Sequence, residues 1–141
     1  LRRRWSWALT AIAVLLLDQG TKSLARRLLA PEEPVPLLGK LLHANLVFNP
    51  GAAFGLRLAP ALHLVIFCLL LAGLLAWSLR PSAPASLGLL LGGAAGNLLD
   101  RIRFGRVVDF LDFRVWPVFN LADVAITLGA IWLALDLRRR R

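Results

Sequence analysis

The segment WSWALTAIAVLLLDQGTKSL, residues 5–24, runs thirteen residues without a charge and then meets Asp18, Gln19 and Lys22. Arg2, Arg3 and Arg4 stand in front of it. A basic flank followed by an apolar run is the pattern of a secretory leader. Here, however, no small-x-small cleavage site follows, and Asp18-Gln19 interrupts instead. About 20 residues of helix cover the ~30 Å hydrocarbon layer of a bilayer. The segment is therefore expected to stay in place as a first membrane span.

The rest of the 141 residues extends the same pattern. Apolar runs recur at about 58–79, 85–100 and 119–137, the second stopped by Arg80-Pro81 and the last by Arg138 to Arg141. With 58% hydrophobic residues and a mean hydropathy of +0.68, a soluble domain of this length has too little interior for its apolar surface. The expected fold is an all-α integral membrane protein, a single domain over 1–141. It has four transmembrane helices (about 5–24, 58–79, 85–100 and 119–137) and a small extracytoplasmic β-rich segment. That segment is Lys40 to Phe48, rich in strand-compatible residues and closed by a turn at Asn49-Pro50-Gly51. Pro31, Pro34 and Pro36 oppose a helix just before it. The small residues Gly88, Gly92, Gly93, Ala94, Ala95 and Gly96 in the third run allow a neighbouring helix to approach closely.

Lys and Arg total eight on the side of the termini and nine on the other, so totals do not orient the chain. The eight are packed into three short segments at span ends, and that density places both termini in the cytoplasm. The net charge of +9 invites nucleic acid as a partner, but the arginines cluster at span ends, where anionic head groups lie. No basic stripe interleaved with stacking aromatics is present. The expected partners are membrane lipids and no nucleic acid. Cys68 is the only cysteine, so no intrachain disulfide forms. In the run Leu62 to Leu79 it reads as a buried small hydrophobe.

Polar side chains gather at one end of the runs. Asp18, Gln19 and Lys22 close the first, Asn97, Asp100 and Arg101 close the third, and Asn120 and Asp123 open the fourth, with Asp109 between. Any one of them alone is simplest as an interfacial residue paired with its neighbours. A set converging on one level from three segments points to function. Asn97 and Asp100 are i, i+3, as are Asn120 and Asp123, so each pair shares a helix face. Asp18 and Lys22 are i, i+4, and read as an ion pair that neutralises charge in a poor solvent.

Elimination narrows the chemistry. His43 and His63 are isolated, His43 reading as exposed, and no H-E-x-x-H or Walker-type loop exists, so no metal is expected. No serine stands in a G-x-S-x-G elbow. Carboxylates remain. Two that lie close share one proton, so one activates water while the other donates to a carbonyl. Such a pair titrates as a unit. Residue logic leaves open which aspartates form it, with Asp100 as attractive as any.

In order along the chain stand Asp18-Gln19-Gly20-Thr21-Lys22, Asn49-Pro50-Gly51-Ala52-Ala53-Phe54-Gly55, and Gly92 to Arg101 (GGAAGNLLDR). Gly105-Arg106-Val107-Val108-Asp109-Phe110 and Phe119-Asn120-Leu121-Ala122-Asp123 follow. Each motif is weak alone, but the ordered set resembles the lipoprotein signal peptidases (signal peptidase II), bacterial inner-membrane aspartyl peptidases. The resemblance implies that Asp109 and Asp123 are the catalytic dyad. It implies that Asn49, Gly51, Asn97, Arg101 and Asn120 bind substrate or orient the aspartates, and that Asp18, Lys22 and Asp100 support the site. Asp112 is expected at the surface. The implied reaction is hydrolysis of a prolipoprotein signal peptide on the N-terminal side of a diacylglyceryl-modified cysteine, with water as nucleophile and no cofactor. The expected setting is the bacterial cytoplasmic (inner) membrane, crossed several times by a monomer whose site lies near the outer face.

Two other classes are weighed against it. A small proton-coupled transporter could use Asp18, Asp100 and Asp123 as a relay, but a relay distributes acids through the depth of the membrane, and these lie at one level. A structural membrane subunit would use the polar layer only as a binding surface.

Overall fold

The computed structural model describes residues 6–51, 60–78 and 84–139. Ala52, Ala53, Phe54 and Gly55 of the second motif, the terminal arginines at 2–4 and 140–141, and Arg80-Pro81 lie outside the described residues. In chain order the elements are α1 (Ser6–Leu28), β1 (Val35–Leu38), β2 (Leu42–Asn49), α2 (Pro60–Ser78), α3 (Ser86–Phe104), β3 (Val107–Asp112) and α4 (Leu121–Arg139).

The expectation of an all-α protein with four transmembrane helices is overturned. Among the described residues no helix is long and apolar enough to cross a membrane. Charges lie within the helices and not only at their ends. Helix α1 carries Asp18, Lys22, Arg26 and Arg27, α3 carries Asp100, Arg101 and Arg103, and α4 carries Asp123, Asp136, Arg138 and Arg139. The β component is also larger than expected. It is a three-stranded antiparallel sheet in the order β1-β2-β3, and it draws β3 from the connection between the third and fourth runs. Cys68, read as buried, is exposed on α2.

The sheet follows from local chemistry. Val107, Val108, Phe110 and Leu111 supply the β-branched, aromatic and apolar side chains that favour a pleated, half-buried surface. Gly39, at φ 54, makes the tight turn from β1 to β2. Pro36 lacks an N–H and fits β1 because that strand is an edge. Val47 pairs with Asp109 and Phe48 with Val108, so the position of Asp109 is fixed by a ladder. Ala25 of α1, Leu46 of β2 and Val108 of β3 are buried together, with Phe48, Phe104 and Phe110 packed against them.

Helix α3 is the central post, packing against α1, α2 and α4. Its small residues allow this. A methyl added at Gly92 would stand 2.6 Å from the Ala11 carbonyl oxygen, and one at Gly93 would stand 2.5 Å from that of Ala122. One at Gly96 would run into the Asp18 carboxylate. Gly105, at φ 68, ends the helix, its N–H bonded to the Arg101 carbonyl at 3.0 Å, and turns the chain directly into β3.

Candidate active site

The polar layer begins on α1. Asp18 and Lys22, one turn apart, are both buried and 2.8 Å apart. The pairing expected from i, i+4 spacing is present, but it is only part of the arrangement. Lys22 Nζ also lies 2.9 Å from Asp100 Oδ2 and donates to Asn97 Oδ1 at 2.9 Å. A buried ammonium has three donors and no acceptor, and here each donor finds an oxygen. Gln19, which sequence reasoning left without a role, donates from Nε2 to Asp18 Oδ2, to the Gly96 carbonyl and to Asp100 Oδ1, at 3.0–3.2 Å. Its place inside the Asp-Gln-x-x-Lys motif was the available signal.

Helix α4 begins where this cluster reaches it. The first N–H groups of a helix have no partner within it. Asp18 Oδ1 accepts the Ala122 N–H at 2.9 Å. Asn120 and Asp123 satisfy each other as a capping box: Asp123 N–H donates to Asn120 Oδ1 at 3.0 Å, and Asn120 N–H to Asp123 Oδ2 at 3.1 Å. The i, i+3 spacing therefore serves a helix start as well as a shared face.

Asp109 stands on β3 and is nearly fully buried. Asn120 Nδ2 donates to its Oδ1 at 2.7 Å and Asn49 Nδ2 to its Oδ2 at 3.1 Å. Asn120 thus touches both Asp109 and Asp123. Burial pushes the Asp109 carboxyl up to about 6, and the neighbouring charge of Asp123 pushes the same way. The two asparagine bonds and the Lys22 charge oppose that rise without cancelling it. Asp100 Oδ2 accepts the Val108 N–H at 3.0 Å, which pins the strand immediately before Asp109.

The remaining sequence-derived candidates fall around this pair. Asn97 donates to Asp123 Oδ1 at 2.9 Å and accepts from Asn120 Nδ2 at 3.0 Å. Arg101 donates to the Asn97 carbonyl at 3.3 Å, and its positive charge is felt by Asp123, Asp109 and Asp100. Gly51, at φ 96, donates its N–H to Asn49 Oδ1 at 2.9 Å. Asp112, expected at the surface, is buried instead. Asn45 Nδ2 and the Arg114 backbone and guanidinium all bond it, and the Asn45 bond leads in holding its carboxyl below the usual range. His43, expected to be exposed, is half-buried on β2.

Asp123 is half-exposed and opens onto an apolar groove of about 380 Å³ beside Phe113, Trp116, Phe119, Val124 and Leu128. One carboxyl is thus buried and pushed up. The other is reachable from a groove able to hold an apolar chain.

The sequence model described as signal peptidase (SPase) II matches residues 10–139. The chain is 46% identical over 136 residues to the lipoprotein signal peptidase of Moorella thermoacetica, covering 92% of this chain and 90% of that one. It is 47% identical over 127 residues to that of Pelotomaculum thermopropionicum, covering 86% and 84%. Two solved structures described as bacterial membrane enzymes share its fold. One has a TM-score of 0.86 at 27% identity, covering 94% of this chain and 87% of that one. The other has a TM-score of 0.84 at 28% identity, covering 93% and 91%. With the match running through every element from α1 to α4, this chain belongs to the signal peptidase II family.

Proposed function

We propose that the chain is a lipoprotein signal peptidase whose hydrolysis is of the aspartyl type, run by Asp109 and Asp123. The family and its named relatives carry the peptidase activity and the prolipoprotein substrate class. They give the proton-coupled transporter no support. The observation that carries the aspartyl reading is the coupling of the two carboxyls through Asn120, with Asp109 pushed up to about 6.

The chemistry follows from that asymmetry. Asp109, the more buried, holds the shared proton, and Asp123, at the groove, acts as the base toward water. Asp123 takes a proton from water as the water oxygen attacks the scissile carbonyl carbon. Asp109 gives its proton to the carbonyl oxygen, so a neutral diol forms and the two carboxyls exchange roles. Collapse of the diol passes the proton on Asp123 to the leaving amine and returns the diol's proton to Asp109. The cycle closes with the starting protonation. Asn49, Asn97 and Asn120 supply donors that do not move during the reaction.

The place of work is the bacterial cytoplasmic membrane, with the site toward its outer side. The solved relatives described as bacterial membrane enzymes support the membrane setting. So do the apolar side chains that α1 and α4 leave uncovered, among them Leu9, Ile12, Leu16, Leu17, Leu128 and Ile131. A scissile bond beside a diacylglyceryl-modified cysteine lies at such a surface.

The test is cleavage of a lipidated prolipoprotein peptide by the purified chain. The expected product is a peptide beginning at the lipidated cysteine. Cleavage elsewhere, or equal turnover of an unlipidated peptide, counts against the substrate reading.

A further inference from the structure

Three side-chain amides present hydrogens to the two aspartates, and each has its oxygen tied to a group that can only donate. Asn49 Oδ1 accepts the Gly51 N–H while its Nδ2 serves Asp109. Asn120 Oδ1 accepts the Asp123 N–H while its Nδ2 serves Asp109. For Asn97 the donor is not backbone but the Lys22 ammonium, 2.9 Å from Oδ1, while Nδ2 lies 2.9 Å from Asp123 Oδ1. An amide has one accepting and one donating end. Turned over, Asn97 would set its oxygen against a carboxylate and its hydrogens against an ammonium, and both contacts repel.

We propose that Lys22 is a positioning residue for peptide hydrolysis: acting through Asn97, its ammonium fixes the amide donor that Asp123 receives. The inference rests on Asp123 being half of the dyad, as proposed above. It goes beyond charge neutralisation of Asp18, which would need no bond to Asn97. Asp18 and Asp100 flank Lys22 at 2.8 and 2.9 Å, hold it in place and leave its third donor for Asn97. Asn120 Nδ2 also reaches Asn97 Oδ1, at 3.0 Å, but it is shared with the Val108 carbonyl and Asp109. The charged donor makes the stronger bond. The charged groups facing the dyad are Asp18 and Lys22 from α1 and Asp100 and Arg101 from α3.

The experiment is a double-mutant cycle on the full chain in vesicles of phosphatidylethanolamine and phosphatidylglycerol, with a lipidated prolipoprotein peptide as substrate. Lys22→Met is expected to lower kcat about tenfold, the loss of one bond to a charged group, with KM moving far less. In an Asn97→Leu background the same substitution changes little. Multiplying effects, a KM that moves as much as kcat, or a kcat that falls only with the folded fraction, overturns the proposal. Should Lys22→Met fail to fold, the charge-balanced pair Asp18→Asn with Lys22→Met is compared with Asp18→Asn alone under the same criteria. Failure of the wild type to cleave, or retained turnover in Asp123→Asn, would instead sink the dyad. The lock is then still decided by hydrogen exchange of the Asn97 side-chain amide, which Lys22→Met accelerates if Lys22 holds it and leaves unchanged if not.

Discussion

Asp18 on α1 and Ala122 on α4 are joined by a 2.9 Å hydrogen bond, carboxylate oxygen to backbone N–H, across 104 residues of chain. The bond sits one residue before Asp123, so an acid on the first helix sets where the last one starts. Removing it with Asp18→Ala strands Lys22 beside a single carboxylate and frees the Ala122 N–H. Breaking a buried pair costs roughly 3–5 kcal/mol. The expected outcome is a large fall in Tm together with loss of cleavage, followed by thermal unfolding and peptide assay on one preparation. An unchanged Tm would remove Asp18 from the frame of the site.

Asp109→Asn and Asp123→Asn are each expected to abolish cleavage by a factor of at least ~10³ while the chain stays folded. Circular dichroism checks the fold and single-turnover assays check the chemistry. Turnover near the wild-type rate in either variant takes that residue out of the dyad.

Stability should also depend on pH in a way Asp109 dictates. Its carboxyl stands at about 6 in the folded chain against an ordinary 3.8, so between those values the folded state binds more protons than the unfolded one. Stability then falls as pH rises through that window, and the loss persists above it. The full effect is on the order of 3 kcal/mol. Denaturation midpoints between pH 4 and 7 should decline in the wild type, and Asp109→Asn should remove this part of the decline. Activity should fall above about pH 6 as the shared proton is lost, giving the alkaline limb of a bell.

The close approach of α3 to its neighbours gives a steric test. Gly96→Ala drives a methyl into the Asp18 carboxylate, whereas Gly20→Ala meets nothing within 4 Å. Overpacking of this kind costs roughly 1–3 kcal/mol. Gly96→Ala should lower both Tm and cleavage, and Gly20→Ala neither. Equal behaviour of the two variants would argue against close packing of α1 on α3.

Much of the site is legible in the sequence, because polar residues stand out in apolar runs. Asp18, Lys22, Asn97, Asp100, Asn120 and Asp123 were all visible as intruders, and each of the four helices lies where an apolar run was read. What the pattern could not carry was partnership at long range. Nothing local links Lys22 to Asn97, or Asp100 to the Val108 N–H, since those bonds need α1, α3 and β3 already in place. β3 was overlooked because Val107 to Asp112 is only six residues, two of them aspartates that break its apolar pattern. The transmembrane architecture was misjudged for a related reason. Apolar content was weighed, but charges carried inside α1, α3 and α4 were counted as span ends.

The outer margin of β3 has most of its central backbone groups already bonded. The Val108 N–H goes to Asp100 and its carbonyl to Asn120, while Phe110 and Leu111 exchange bonds with Phe119. An open margin would recruit any extended chain that drifted past, and the opposite one, β1, is blunted by Pro36. The sheet is thus sealed against growth beside the very aspartate it carries. On the function proposed above, a peptide arriving for cutting is held by the amides and the groove and not as a fourth strand on β3, which leaves the severed leader no ladder to peel away from when it departs.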